Sequence, residues 1–223
     1  MFWTRADGAG QPKQLTQSKG FQIPASFSPD GKRLAYHDFT SSNGQIWTVP
    51  VDDNGRQLRA GKPEQFLKSQ FEDSFAAFSP DGRWLAYASN ESGRDEVYVR
   101  AFPVPAAGQG GKTQISNSGG IAPVWSRNGS ELLYYAGDQI MTVSYSVRGD
   151  TFLADKPRAW AENATVRQAR EAVDCDNCFD LSPDGKRVAV LTPVEQEPPT
   201  EEHEVVFLFN FFDELQRRVP AEK

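Results

Sequence analysis

Cysteine is nearly absent from this sequence: the 223 residues include two, Cys175 and Cys178. Two cysteines cannot form the disulfide framework that holds small secreted domains together. Their Cys-x-x-Cys spacing occurs in redox and metal sites, but a redox pair needs a helix N-terminus that lowers a thiol pKa, and a metal site needs two further ligands. The surrounding sequence indicates neither, so we expect buried or loosely paired thiols, with a local disulfide and metal binding as alternatives.

Catalytic signatures are also lacking. The sequence contains no Gly-x-Ser-x-Gly motif of a serine hydrolase, and no Gly-x-Gly-x-x-Gly, His-Arg-Asp or Asp-Phe-Gly motif of a protein kinase. Of the two histidines, His203 lies in an acidic, proline-rich segment with no obvious partner. We therefore predict that this chain is not an enzyme and that it uses no cofactor or metal.

Clustered positive charge and long apolar segments are missing as well. Lys and Arg total 24 against 30 Asp and Glu, a formal net charge of −6, and no Lys/Arg-rich run occurs. Nucleic acid is therefore disfavoured as a partner, because phosphate neutralisation needs clustered cations. The longest apolar run, residues 205–212, is interrupted by Asn210 and is too short to cross a bilayer. The first residues contain no apolar signal core. We expect no direct membrane insertion, and a cytoplasmic location if the chain stands alone.

What the sequence does contain is one motif in four copies. Residues 78–88 read Phe-Ser-Pro-Asp-Gly-Arg-Trp-Leu-Ala-Tyr-Ala, and the other copies occupy residues 27–37, 125–135 and 181–191. A repeat of about 50 residues with strand-like content is typical of a β-propeller blade. The fold class predicted is therefore all-β, a β-propeller.

Each copy is predicted to be a β-hairpin. Ser-Pro-Asp-Gly matches the residue preferences of a type I turn, and the glycine that ends it can adopt left-handed φ at little energetic cost. These glycines are Gly31, Gly82, Gly129 and Gly185. The strand after the turn alternates large residues such as Tyr87 with alanines, as sheets stacked on both faces require. His37 falls at one of these packing positions, so a structural role is favoured over a catalytic one.

The repeats indicate that the chain forms a single domain, 1–223. It comprises an N-terminal half blade, 1–19, and four-stranded modules at 20–67, 68–116, 117–162 and 163–223. Residues 148–150 spell Arg-Gly-Asp, but they lie where a turn between outer strands belongs. The termini do not sum to one blade, which favours the C-terminal part of a larger propeller. A ring of about five blades is the alternative.

The repeat resembles the TolB-like propeller repeat, a relative of the WD-type blade. A longer set of segments resembles the C-terminal propellers of bacterial eukaryotic-like serine/threonine kinases, over nearly the whole chain. These segments are residues 95–103, 119–120, 123–126, 131–134, 179–185 and 205–206. The resemblance implies a sensor or docking module, usually joined to a kinase in a longer parent protein. A membrane-anchored parent would place the module in the periplasm.

Propeller geometry predicts where a ligand would bind. The loops leading into each innermost strand, and those between second and third strands, converge on one mouth of the channel, where loops on a rigid scaffold commonly bind ligands. The candidate residues are Gln70, Glu72, Asp73, Asn90, Arg94, Asn117, Asp174 and Asp176. Their charge is mostly negative, which favours a basic partner or a cation; an ordinary solvated rim is the alternative.

We therefore predict a non-catalytic module that docks a protein or peptide at the channel mouth. Two other hypotheses stay open. One is the gating propeller of a prolyl-oligopeptidase-type serine hydrolase whose catalytic domain is absent, and the other is a structural fragment without a ligand.

Overall fold

Eighteen β-strands make up the regular secondary structure of the residues that the structure describes. The structure is a computed structural model, and it describes residues 1–40, 43–53, 57–105, 111–127, 130–161 and 179–190. All of them belong to one compact unit, Met1–Pro193. The predicted third strand and tail of the fourth module, 204–219, lie outside the described residues, so the domain boundaries remain predictions.

The strands form antiparallel sheets that follow the sequence repeats. Blade 1 comprises β3 (Gln22–Phe27), β4 (Arg33–Asp38), β5 (Gln45–Asp53), β6 (Leu58–Ala60) and β7 (Glu64–Gln65). Blade 2 comprises β8 (Asp73–Phe78), β9 (Trp84–Ser89), β10 (Glu96–Ala101) and β11 (Lys112–Gln114). Blade 3 comprises β12 (Ile121–Trp125), β13 (Glu131–Ala136), β14 (Gln139–Arg148), β15 (Thr151–Ala154) and β16 (Arg158–Ala161). Two-stranded sheets precede and follow them: β1 (Phe2–Trp3) with β2 (Lys13–Gln14), and β17 (Phe179–Leu181) with β18 (Val188–Val190).

The first strands of consecutive blades lie side by side. β3 contacts β8, β8 contacts β12, and β12 contacts β17. Sequential sheets whose first strands are neighbours are the arrangement of a β-propeller. The predicted fold class is confirmed, and a partial propeller is consistent with these sheets.

The repeat motif forms the predicted hairpins. In blade 1 the Gly31 amide donates to the Ser28 carbonyl at 2.8 Å, and the Ser28 hydroxyl donates to the Asp30 carboxylate at 2.6 Å. Gly31, Gly82 and Gly185 have φ of 69°, 71° and 70°. The turn chemistry read from Ser-Pro-Asp-Gly is therefore the cause of these hairpins. Gly129 lies outside the described residues.

We expect Gly31→Ala to destabilise the chain by about 1 kcal/mol, because an L-residue is strained at left-handed φ. A Cβ at Gly31 would meet no atom within 4 Å, so the loss of stability reports the backbone strain alone and no steric clash. Gly111→Ala is the matched control, since Gly111 is exposed and its φ is not left-handed. Urea unfolding of both variants checks this; equal midpoints would contradict it.

The third strands of blades 1 and 3 are longer than the repeat suggested. β5 pairs with β7 near its start and with β6 near its end, and β14 pairs with β16 and β15 in the same way. The Arg-Gly-Asp tripeptide forms the turn of the β14–β15 hairpin, as predicted, with Arg148 paired to Thr151. The extended strands add an outer hairpin to each blade.

The contact between blades 1 and 2 is a tight aromatic and aliphatic cluster. Phe66 of blade 1 lies 6.1 Å from Phe102 of blade 2, measured between ring centroids, and packs edge-on against Tyr87 of blade 2 at 5.9 Å. His37 is 2% exposed, and its Nε2 accepts a hydrogen bond from the Ala76 amide at 3.2 Å. His37 therefore joins two blades, which agrees with the structural role predicted for it.

One equivalent position differs between blades. Phe78, Trp125 and Leu181 are 7%, 8% and 6% exposed, whereas Phe27 is 53% exposed. Phe27 faces the half blade of β1 and β2, which provides two strands where blade 1 provides five. The face of blade 1 toward the N-terminal strands is therefore incompletely covered.

Candidate functional site

The loops before β8 and after β9 are hydrogen-bonded to each other. The Glu72 amide donates to the Asn90 side-chain oxygen at 3.1 Å, and the Asn90 amide donates to the Glu72 carbonyl at 3.3 Å. The carbonyl of Gln70 accepts a hydrogen bond from the Asn43 side chain at 2.8 Å. Three of the predicted residues, Gln70, Glu72 and Asn90, therefore lie close together. Their proximity follows from the pairing of Asp73 with Ser89, because these two residues end the strands next to the two loops.

A second group forms around Glu96, at the start of β10. Its carboxylate accepts hydrogen bonds from the Gly119 amide at 3.0 Å and from the Ser116 hydroxyl, and it lies 3.4 Å from Nε of Arg94. Asn117 lies in the loop between Ser116 and Gly119. Arg94 and the loop that carries Asn117 are thus held together through Glu96. We call residues 70–73, 90–95 and 117–120 the mouth loops.

Sequence reasoning missed the residues that position the mouth loops. Glu96 is 1% exposed, and the equivalent residue of blade 1, Gln45, donates to the Phe71 carbonyl at 2.7 Å. In both blades the residue that opens the third strand binds the loop leading into the next blade. The signal was available, because Gln45, Glu96 and Gln139 put a polar residue before an apolar strand in each repeat.

The mouth residues differ in exposure. The side chain of Arg94 is 65% exposed, and Gln70, Glu72 and Asn117 are exposed as well, whereas Asn90 is half-buried. Asp73 is 1% exposed, so it forms part of the interior beneath the rim. Burial raises the pKa of the Asp73 carboxyl, partly offset by the hydroxyls of Ser89 and Ser69.

Other candidates fall outside the described residues. They are Asp174, Asp176, Cys175, Cys178 and His203. Within the described part of the chain, no three His, Cys, Asp or Glu side chains converge as a metal site would require. The same residues include no helix with the length and apolarity to cross a membrane.

Comparison with known proteins supports the fold. No protein-family model matches the chain. A protein TolB homolog of Chlorobium luteolum is 25% identical to it, over 44% of this chain and 30% of that protein. A putative 6-phosphogluconolactonase structure from Bacteroides uniformis covers 86% of this chain and 56% of its own, with a TM-score of 0.50 and 18% identity. A putative TolB structure from Agrobacterium tumefaciens covers 65% and 52%, with a TM-score of 0.49 and 19% identity.

The antiparallel blades and the structural similarity define the class of protein, a β-propeller. In sequence the chain is similar to a TolB homolog over part of its length, in agreement with the repeat motif. The chain spans 30% of the curated relative and 52% to 56% of the two solved structures.

Proposed function

We propose that this chain is a non-catalytic binding module whose mouth loops dock a protein or peptide. The observation that supports this proposal is the direct bonding between loops, with Glu72 bonded to Asn90 and Glu96 bonded to Gly119. Loops that are already fixed lose less conformational entropy on binding, so more of the contact energy appears as affinity.

The charge of the mouth loops favours a ligand with basic side chains. Glu72 and Asp95 are both exposed. The nearby cation, Arg94, is paired with Glu96 and is thereby partly neutralised. Complementary charge across an interface steers encounter and suppresses wrong partners.

The link to a kinase belongs to this proposal. The segments 95–103 and 179–185 resemble the C-terminal propellers of bacterial serine/threonine kinases. In such a parent protein the propeller would sense or dock a ligand, and a membrane anchor would place it in the periplasm.

The docking test is charge reversal on the rim. The wild-type chain is first used to capture a protein from a lysate of the source organism. That protein should bind the Glu72→Lys variant at least about tenfold more weakly than it binds the wild-type chain, because charge reversal replaces attraction by repulsion. Asp155→Lys is the matched control, since Asp155 is exposed on blade 3, away from the mouth loops. Unchanged binding to Glu72→Lys, or failure to capture any defined protein, would contradict the docking model.

The prediction that the chain is not an enzyme has its own test, and it holds under the hydrolase hypothesis as well. A gating propeller of a prolyl-oligopeptidase-type enzyme holds no nucleophile, so the purified chain should not react with a fluorophosphonate probe. Labelling of any serine in the chain would overturn the prediction that it is not an enzyme.

A further inference from the structure

Blade 1 presents two phenylalanines where blade 2 presents the polar residues Glu72 and Asn90. Phe21 immediately precedes β3 and Phe39 immediately follows β4. The Phe39 amide donates to the Phe21 carbonyl at 2.9 Å, and in blade 2 the Asn90 amide donates to the Glu72 carbonyl at 3.3 Å. The same backbone hydrogen bond in both blades shows that the two pairs occupy equivalent positions at the mouth. We call Phe21 and Phe39 the aromatic pair.

The repeat does not require aromatic residues at these positions. The equivalent residues of blade 3 are Gly119 and Gly137, which have no side chains. Phe21 is 69% exposed, Phe39 is half-buried, and their ring centroids lie 6.3 Å apart. Packing between blades therefore does not account for Phe21. An exposed ring supported by a second ring is a surface suited to binding a partner, because aromatic residues dominate the centres of interfaces.

The loop that carries Phe21 is held in place although its ring is exposed. A Cβ at Gly20 would lie 2.5 Å from the Thr40 amide nitrogen, so the two loops of blade 1 are in direct contact. The Ser18 hydroxyl accepts a hydrogen bond from the Gly20 amide at 3.1 Å and lies 2.7 Å from the Thr40 hydroxyl. The Thr40 amide donates to the Asp38 carboxylate at 2.9 Å. A partner that packs on Phe21 therefore has little backbone to order.

The aromatic pair lies beside the mouth loops of blade 2. Cε1 of Phe39 lies 2.7 Å from the place that a Cβ of Gly44 would take, so the ring packs on the Gly44 backbone. The Gly44 carbonyl accepts a hydrogen bond from the Asp73 amide at 3.0 Å, and Asp73 directly follows the exposed Glu72. An apolar ring surface and an exposed carboxylate thus share this part of the mouth.

We propose that the ligand docked at the mouth is a protein segment that carries an aromatic side chain beside a lysine or arginine. The aromatic side chain packs on the exposed ring of Phe21, and the basic side chain pairs with Glu72. This inference rests on the proposed docking function and names the class of its ligand.

Charge disfavours two other occupants of an exposed aromatic surface. A second copy docked mouth to mouth would bring the exposed Glu72 and Asp95 of both copies together, and like charges across an interface repel. An anionic membrane attracts apolar residues that are flanked by Lys and Arg, whereas acidic residues flank Phe21. A basic protein segment meets complementary charge instead.

Affinity selection of random linear peptides by the full wild-type chain tests this assignment. We expect the selected peptides to be enriched both in Phe, Tyr or Trp and in Lys or Arg. Replacing the aromatic residue of a selected peptide by alanine should raise its Kd at least about tenfold. Replacing its basic residue by alanine should also weaken binding, because the pair with Glu72 is lost.

Double-mutant cycles then assign each peptide residue to its partner. Phe21→Ala should remove the effect of the aromatic replacement in the peptide and keep the effect of the basic one. Glu72→Gln should do the reverse. Phe27→Ala is the matched control, since Phe27 is 53% exposed and ends β3, the strand that Phe21 precedes. It should change neither effect. Circular dichroism reports whether each variant folds, and the Glu72→Gln cycle does not depend on Phe21→Ala.

Two results would overturn this inference and leave docking at the mouth intact. One is a set of selected peptides whose binding needs Glu72 but that contain no excess of aromatic residues, and the other is an unchanged Kd of an aromatic peptide for folded Phe21→Ala. Failure to select any peptide, or selected peptides that need neither Phe21 nor Glu72, would overturn the proposed function as well. Self-association or binding to phosphatidylserine vesicles that Phe21→Ala abolishes would assign the aromatic pair to a second copy or to a membrane, and would also overturn the inference.

Discussion

Phe78→Ala should lower the free energy of unfolding by about 3 kcal/mol or more, whereas Phe27→Ala should lower it by less than about 1 kcal/mol. The two residues occupy the same position of the repeat, immediately before Ser-Pro-Asp-Gly. Phe78 is 7% exposed and its ring packs against Phe102, so truncation removes buried apolar surface and leaves a cavity. Phe27 is 53% exposed, so much of its surface already contacts water.

Urea unfolding of the two variants at several protein concentrations measures this difference. The two variants control for each other, because the substitution and the sequence context are the same. Equal losses of unfolding free energy would mean that another surface covers Phe27 in solution, although its side chain is 53% exposed in the structure of the single chain. If the midpoint of the wild-type chain also rose with concentration, a second copy would be the cover, since an oligomer is stabilised by mass action.

The hairpins were predictable from the sequence because their cause is local. A Ser-Pro-Asp-Gly turn depends on four adjacent residues, and Gly82 has the left-handed φ of 71° that the motif requires. The fold class followed from the period of that motif. What the repeat could not show was the difference between Phe27 and Phe78, since that depends on which neighbouring sheet covers each residue.

The candidate site was predictable in its backbone and not in its side chains. The hydrogen bond between Glu72 and Asn90 follows from strand order, because these residues lie just before β8 and just after β9, which pair with each other. The burial of Asp73 was not foreseen, since a residue at the boundary of loop and strand can face either the rim or the space between blades.

Glu96 was also missed, although it bonds two mouth loops. Its importance depends on Ser116 and Gly119, which are distant in sequence and reach it only when β10 and β11 pair. Polar residues that organise a site through non-local contacts leave little trace in one repeat. They become visible when the equivalent positions of successive blades are compared, as for Gln45 and Glu96.

We therefore expect Glu96→Ala to destabilise the chain by about 3 kcal/mol, because the substitution leaves several partners of a buried carboxylate without an acceptor or counter-charge. The Ser116 hydroxyl and the Gly119 amide lose their acceptor, and Arg94 loses its ion-pair partner. The contribution of Arg94 is small, since its side chain is 65% exposed and the pair is screened by solvent. Most of the loss comes from the hydrogen bonds of the Ser116 hydroxyl and the Gly119 amide.

The control for Glu96→Ala is Glu64→Ala, which removes the Glu64–Arg33 ion pair of 3.0 Å at a side chain that is 62% exposed. That change should cost less than about 1 kcal/mol. Hydrogen exchange supplies a local readout, since the Gly119 amide should lose protection in Glu96→Ala and keep it in Glu64→Ala. Equal stability of the two variants, or unchanged exchange at Gly119, would mean that the mouth loops hold their arrangement without Glu96. In that case the strand pairing of β8 with β9 and of β10 with β11 would be sufficient to fix the loops, and the docking surface would tolerate substitution at this position.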